Sequence, residues 1–273
     1  MNKFSERLNN DLFLIMAHRG FWGGNIIENS IESSQLAYKA GADIVEVDVC
    51  KTSDGKYYLF HDGNEPKLLN RQENFKELTS EEVDNSTVYN SIGTDSGKKI
   101  TSFTEFLQWL PKNRLVNIDR SWEYWTDPQF FLIIKESGKE DQLFFKSPVT
   151  NQYLDAFAEN GKDLYYVPIL KNRKEFELVR SYEAIQMIGV ELVVTDFKSE
   201  LMDTALLKLI KYMELFTVAN SENLGAEFNL FGGLNDDTVL LEGTTWDVFI
   251  EKGIDVIQTD WPNFVCSYRD SLK

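Results

Sequence analysis

The sequence predicts an α/β fold: a (β/α)8 TIM barrel with a β-hairpin after strand 2 and a small insertion. Three observations carry that expectation. Eight short apolar runs alternate with stretches of helical periodicity, the pattern of repeated strand–helix units. The chain has 273 residues, close to the roughly 250 of one such barrel. Polar and charged residues recur at the ends of the apolar runs, where such a barrel gathers its functional groups.

The elements follow in order. Residues 1–11 read as a polar tail and 12–17 as the first strand. A helix over 29–40 carries Ile31, Leu36, Ala37 and Ala40 and stops at Gly41. The second strand, 44–49, leads to Asp54-Gly55, a hairpin signal between two strand-like runs. With the turn centred on that pair, partner numbers sum to about 109, which sets His61 opposite Asp48. Residues 62–101 are polar, with one helical piece around 80–83, and read as an excursion from the core. A helix over 103–110 ends at Pro111. Further strands are expected at 115–119, 143–146, 164–170, 192–195, 215–218 and 254–259. Further helices are expected at 128–137, 151–160, 175–188, 199–212 and 245–252, with a polar, glycine-containing segment at 220–242. No repeat, low-complexity tract or linker divides the chain. Residues 1–273 therefore read as one domain with an insertion at about 62–101. An open doubly wound sheet is the structural alternative.

Composition narrows the partners. The chain has 44 acidic and 28 basic residues and a net charge of −16. Such a surface repels nucleic acid and anionic membranes, so neither nucleic-acid binding nor stable membrane anchoring is expected. The run 12–17 is too short for a signal core or a membrane span, and the expected location is cytoplasmic. The two cysteines, Cys50 and Cys266, lie far apart in sequence and read as reduced thiols.

The chemistry concentrates between residues 17 and 62. The only two histidines, His18 and His61, each follow an apolar run there. Glu46 and Asp48 lie two apart in the strand between them. Residues i and i+2 share a face, and two carboxylates on one buried face need a cation or a proton. The apolar neighbours Ile44, Val45, Val47 and Val49 argue for burial rather than a solvated edge. Barrel topology collects His18, Arg19, Glu46, Asp48, Asp119, Lys146, Lys171, Asp196, Asn220 and Asp260 at one end. Glu46, Asp48 and Asp119 offer hard oxygen ligands suited to one divalent cation, Mg2+ or Ca2+. Two histidines beside it suit proton removal and proton donation, and Arg19 suits a phosphate oxygen. The parts describe metal-assisted cleavage of a phosphate ester, with a small-molecule phosphodiester as substrate. Each also has a plainer reading: a strand-end histidine as a structural hydrogen-bonding group, Asp119 as a cap, Lys146 and Lys171 as solvated strand ends, Asp236-Asp237 as a loop pair.

These motifs resemble those of the glycerophosphodiester phosphodiesterase family. The matching residues are His18-Arg19-Gly20, Glu28-Asn29-Ser30, Gly41-Ala42-Asp43, Glu46 with Asp48-Val49, Thr52 with Asp54-Gly55, His61-Asp62, Asn117-Ile118-Asp119, Thr217-Val218 and Thr259-Asp260-Trp261-Pro262. They run in the family's order over nearly the whole chain. The resemblance implies a distorted TIM barrel that hydrolyses glycerophosphodiesters to sn-glycerol 3-phosphate and an alcohol. It implies His18 and His61 as general base and general acid, Glu46, Asp48 and Asp119 as metal ligands, and Arg19 as the phosphate-binding residue. It also implies Glu28 as an acid beside the metal site. Three positions depart from the family. Asp119 stands where Glu is usual. Ser121 stands where Lys is usual, and Lys146 is the candidate to replace that charge near the substrate. The stretch 220–242 is longer than the usual loop.

The residues leave several routes open. The nucleophile is either water or a glycerol 2-hydroxyl, the latter giving a cyclic phosphate first. A phospholipase-like phosphodiesterase acting on lipid is a second enzyme reading. A catalytically inactive barrel that binds phosphodiesters is a third reading.

Overall fold

The computed structural model describes residues 2–225, 229–242 and 246–273. Of the expected segments, Met1 in the tail, 226–228 in the polar stretch and Thr245 at the start of the last expected helix lie outside the described residues. The strands are β1 (Leu14–Ala17), β2 (Ile44–Lys51), β3 (Tyr57–Leu59), β4 (Leu115–Asp119), β5 (Leu143–Pro148), β6 (Tyr165–Leu170), β7 (Gln186–Met187), β8 (Gly189–Leu192), β9 (Phe216–Asn220) and β10 (Val256–Thr259). Eight of them pair in parallel in the ring β1-β2-β4-β5-β6-β8-β9-β10 and back to β1. The ring has no open edge, so the sheet is a closed barrel and not a doubly wound one. The two remaining strands sit outside it: β3 is antiparallel on β2, and β7 pairs with β6.

Helices cover the outside, and several are begun by local capping chemistry. Helix Ile31–Lys39 starts at a capping box between Ser30 and Ser33. Helix Pro128–Ser137 starts at the Asp127 side chain, with proline in its first turn. Their apolar faces and the outward faces of the strands form one cluster that includes Val45, Val47, Ile118, Phe130 and Phe145. No helix among the described residues is long and apolar enough to cross a membrane.

Alternation along each strand builds the interior in layers. The lower layer holds Leu14, Ile44, Leu115, Phe144, Val167, Phe216 and Val256, all in one buried cluster. Residues 3–8, expected as part of a polar tail, form a helix across this end. Its Phe4 is fully buried, with its ring 5.1 Å from Phe144, 6.1 Å from Tyr165 and 6.4 Å from Phe216. Gly189 is what admits Phe216, since a Cβ there would meet the ring at 2.4 Å. The upper layer is polar: Glu46, Asn117, Lys146, Glu191, Asn220 and Gln258 are all buried.

Several expected boundaries move. The strand placed at 192–195 is β8, three residues earlier, and the helix placed at 175–188 is Arg173–Arg180. Its start is set by the Asn172 side chain, which accepts from the Glu175 N–H. The helix placed at 199–212 begins as a 3-10 turn and restarts at Asp203, whose carboxylate caps Ala205 and Leu206. A final helix, Pro262–Ser271, follows β10 and ties to the barrel floor through Arg269, which donates to Asp43 at 2.6 Å and to the Phe13 carbonyl at 2.9 Å. The segment 62–101 carries more structure than one helical piece. It has helices Glu65–Leu68 and Ser80–Asn85 and a 3-10 turn at Phe75–Glu77. Its Leu68, Phe75, Leu78, Val83 and Val88 form a separate buried cluster with Cys50, Tyr58 and Phe60 of the hairpin.

The hairpin register is also corrected. Cys50 pairs with Tyr58, and the Phe60 N–H donates to the Asp48 carbonyl at 3.1 Å. Phe60, rather than His61, therefore lies opposite Asp48. The turn holds three residues between the pair Thr52 and Lys56, with Gly55 at φ 88°. Such a loop, closed by a left-handed glycine, shifts the register by one from a two-residue turn.

Candidate active site

The chain leaves β1 through His18 and a left-handed Arg19, φ 55°. That conformation turns the Arg19 N–H onto Glu46 Oε2 at 2.7 Å. Asn29, φ 53°, clamps Asp48 from both sides. Its Nδ2 donates to Asp48 Oδ2 at 2.9 Å, and its Oδ1 accepts from the Asp48 N–H at 2.9 Å. The Arg19 guanidinium donates to Glu28 Oε1 at 2.9 Å and lies 3.3 Å from Asp48 Oδ2. Glu28 also accepts from Asn64 and Lys67. Burial alone would raise the Glu28 carboxyl, but Arg19 and Lys67 hold it below the usual range.

His18 is fixed by the end of β10. Asp260 Oδ1 takes its Nδ1 at 2.9 Å, which leaves Nε2 as the other ring nitrogen. Asp260 is itself anchored: its N–H donates to Asp236 Oδ2 at 2.9 Å, and Thr259 Oγ1 donates to the same oxygen at 2.8 Å. Asp236, read from sequence as half of a loop pair, is thus buried at the start of a helix. Burial pulls His18 down, but Asp260, Glu222 and Glu46 more than offset it and push it up to about 9.

His61 reaches the same end from outside the barrel. Phe60 stacks on Phe75 at 4.3 Å, and Asp62 pairs with Arg120 at 3.0 Å and with Lys76 at 3.1 Å. These contacts hold the backbone on either side of the histidine. Its Nδ1 is buried with no partner among the described residues. Burial lowers its pKa, and the attraction of Asp48 does not compensate. The two imidazoles are thus shifted in opposite directions, His18 upward and His61 downward.

The carboxylates share too little positive charge. Asp48 and Asp119 are register partners on adjacent strands, as are Glu46 and Asn117. Burial, then the neighbouring Asp48, push Glu46 up to about 8, and its Oε1 has no partner among the described residues. Lys146, fully buried, donates to Glu191 Oε2 at 2.7 Å and lies 2.9 Å from Asp119 Oδ2. That ammonium offsets the burial of Asp119 and keeps its carboxyl low. Ser121 is buried and accepts from the Trp125 indole at 3.2 Å, so this position serves the helix layer.

Two strand-end residues stand apart. Lys171 and Asp196 are exposed, and each serves its own loop through Glu175 and the Lys198 N–H. Four buried polar residues were missed: Glu191, Glu222, Asp236 and Gln258. Glu191 and Gln258 each occupy a polar position inside an apolar strand, a signal that sequence could have given.

Among the described residues, no three His, Cys, Asp or Glu side chains form a set able to hold a metal ion as they stand. The Glu46–Asp48 pair nevertheless fits a hard cation. Glu46 offers an unpartnered buried oxygen, and the two carboxylates repel each other. Asp119 is engaged by Lys146.

Comparison with known proteins adds sequence and fold relatives. The model of the glycerophosphoryl diester phosphodiesterase family matches residues 18–129. A glycerophosphodiester phosphodiesterase of Caldanaerobacter subterraneus subsp. tengcongensis is 32% identical over 108 residues, which cover 39% of this chain and 44% of that protein. One of Bacillus altitudinis is 29% identical over 132 residues, covering 47% of this chain and 54% of that protein. The chain thus spans about half the length of these curated relatives. The crystal structure of a glycerophosphoryl diester phosphodiesterase from Parabacteroides distasonis superposes with a TM-score of 0.74 at 16% identity, covering 100% of this chain and 93% of that one. An Oleispira antarctica phosphodiesterase, solved with its product sn-glycerol-3-phosphate, gives 0.66 at 17% identity, covering 94% and 96%. At these identities the structural likeness speaks to the fold.

Proposed function

We propose, from the match of residues 18–129 to the model of the glycerophosphoryl diester phosphodiesterase family, that this chain is a member of that family and hydrolyses glycerophosphodiesters to sn-glycerol 3-phosphate and an alcohol. The observation that carries this reading is the convergence of two histidines on one buried carboxylate pair. Arg19, next to His18, donates its N–H to Glu46 at 2.7 Å, and Phe60, next to His61, donates its N–H to the Asp48 carbonyl at 3.1 Å.

A phosphodiester at the barrel mouth lies between the two imidazoles. Arg19, already placed between Glu28 and Asp48, offers charge to a phosphoryl oxygen. The attacking hydroxyl, of water or of the glycerol 2-position, forms the new P–O bond and gives its proton to His61. The P–O bond to the alcohol breaks, and His18 donates the proton that the leaving oxygen needs; where the 2-hydroxyl attacked, water then adds to the phosphorus of the cyclic phosphate, and the P–O bond to the 2-oxygen breaks as that oxygen regains a proton, which gives sn-glycerol 3-phosphate. The opposite shifts of the two histidines support this order. Asp260 holds the His18 ring in place throughout. Glu46 and Asp48, with Asp119 beside them, would hold a divalent cation, either Mg2+ or Ca2+. Bound there, it would supply Lewis-acid polarisation of a phosphoryl oxygen.

The test is release of sn-glycerol 3-phosphate from glycerophosphocholine and glycerophosphoethanolamine with added Mg2+ or Ca2+. Cation-dependent release is expected, reduced about 10^2- to 10^4-fold in His18→Ala. A folded protein that releases nothing with either cation overturns the reading. One observation favours a phosphodiester-binding barrel without turnover: Lys146 occupies Asp119, the expected third ligand. Saturable binding of the diesters with no product would select that reading.

A further inference from the structure

The geometry points to a second subsite at the barrel mouth, on the His18 side, for an alcohol moiety rich in hydrogen-bond donors. It rests on the phosphodiester reading above and names what the alcohol must carry.

Three buried acceptors meet there. Asn220 and Gln258 are register partners on β9 and β10. Asn220 donates its Nδ2 to Glu191 Oε1 at 3.1 Å, and Gln258 donates its Nε2 to Glu222 Oε1 at 2.6 Å. Each amide group is oriented by the carboxylate that it serves. Its oxygen is therefore the end left over. Asn220 Oδ1, Gln258 Oε1 and Glu222 Oε2 all lack a partner among the described residues, and the three side chains are 8%, 3% and 4% exposed. A buried acceptor without a donor is costly, and three on neighbouring side chains call for a ligand that brings donors.

A cavity of about 270 Å³ opens on Asn220 and Glu222 and is lined further by Asn223, Asn229 and Asn235. It borders the reacting centre: Gln258, which holds Glu222, is the register partner of Met16, and the His18 N–H donates to the Thr259 carbonyl next to Gln258 at 3.0 Å. No step of the proposed reaction uses Glu222. Hydroxyls and a primary ammonium both carry the required donors; a trimethylammonium carries none. The subsite therefore favours glycerol-like and ethanolamine-like alcohols over choline.

Binding of intact diesters to His18→Ala, followed by titration calorimetry, tests this without relying on turnover. Glycerophosphoglycerol and glycerophosphoethanolamine are expected to bind at least tenfold tighter than glycerophosphocholine. Glu222→Gln should erase most of the ethanolamine advantage and less of the glycerol advantage, because it removes charge but keeps one acceptor. Circular dichroism reports whether that variant folds, and the comparison of three ligands stands without it. Equal affinities for all three overturn the subsite, as does an equal loss for all three in Glu222→Gln. Ranked binding with no product from the wild type overturns the hydrolase and keeps the subsite. Product from the wild type with equal affinities does the reverse.

Discussion

The two halves of the barrel interior are built on the same strands and obey different rules. In β5, Phe144 belongs to the lower half and Lys146, two residues on, to the upper. In β10, Val256 is followed in the same way by Gln258. The buried cluster of the lower half is apolar and is closed by ring contacts around Phe4. The upper half is a chain of charges, Asp119 to Lys146 to Glu191, continued by Asn220. It also contains polar atoms with no partner among the described residues, in Glu46, Asn117, Asn220 and Gln258. Packing below fixes where the strands stand, and this lets the layer above keep groups that a stability-only core would exclude.

The sharpest way to break that contrast is to discharge the upper layer. Lys146→Met leaves Asp119 and Glu191 buried without their cation, and should cost about 3–5 kcal/mol in urea unfolding. A loss below about 1 kcal/mol would mean that the upper layer is wetter than its burial implies. In the lower layer, Phe4→Ala should cost about 3 kcal/mol. Turnover per folded molecule should stay within about twofold, because Phe4 touches no group of the upper layer. A fall in kcat at equal folded fraction would join the two halves that the contrast separates.

Next in size is pH. His18 is raised in the folded state, so its contribution is complete below its ordinary value of 6.5 and disappears as pH rises toward about 9. Glu46, raised to about 8, acts in the same direction, since ionising it in the folded state becomes unfavourable as pH climbs. Cation-free protein should therefore lose on the order of 2 kcal/mol between pH 6.5 and 9. Urea midpoints measured with a chelator and with Ca2+ check this; the slope should flatten when Ca2+ is present. The smallest effect serves as a control. Arg180→Ala, which breaks the surface pair with Glu177 outside both layers, should move stability by less than about 0.5 kcal/mol.

Sequence showed the alternation of strands and helices because each strand is a continuous apolar run, buried on both faces. It showed His18, Glu46, Asp48 and His61 because they end or interrupt such runs. The lower plug was hidden: its helix has Phe4 as its only buried residue in a polar stretch, and an amphipathic pattern needs more than one. The hairpin slip came from the loop, since Asp54-Gly55 fits both a two-residue and a three-residue turn. Placing the sixth barrel strand at 192–195 left Glu191 outside it, so the partner of Lys146 stayed out of view. Glu222 and Asp236 lie in a loop and at a helix start, where acidic residues are ordinarily solvated. Only the closing of the ring around them makes them buried.

The hairpin and the segment after it pack on a cluster of their own, and His61 hangs from that cluster while His18 hangs from the barrel. The proposed acid–base pair is thus a joint between two separate buried clusters. Heating that loosens the smaller cluster first would silence the protein while the ring of strands stays intact, so the temperature of inactivation would read the docking of the insertion and not the unfolding of the barrel.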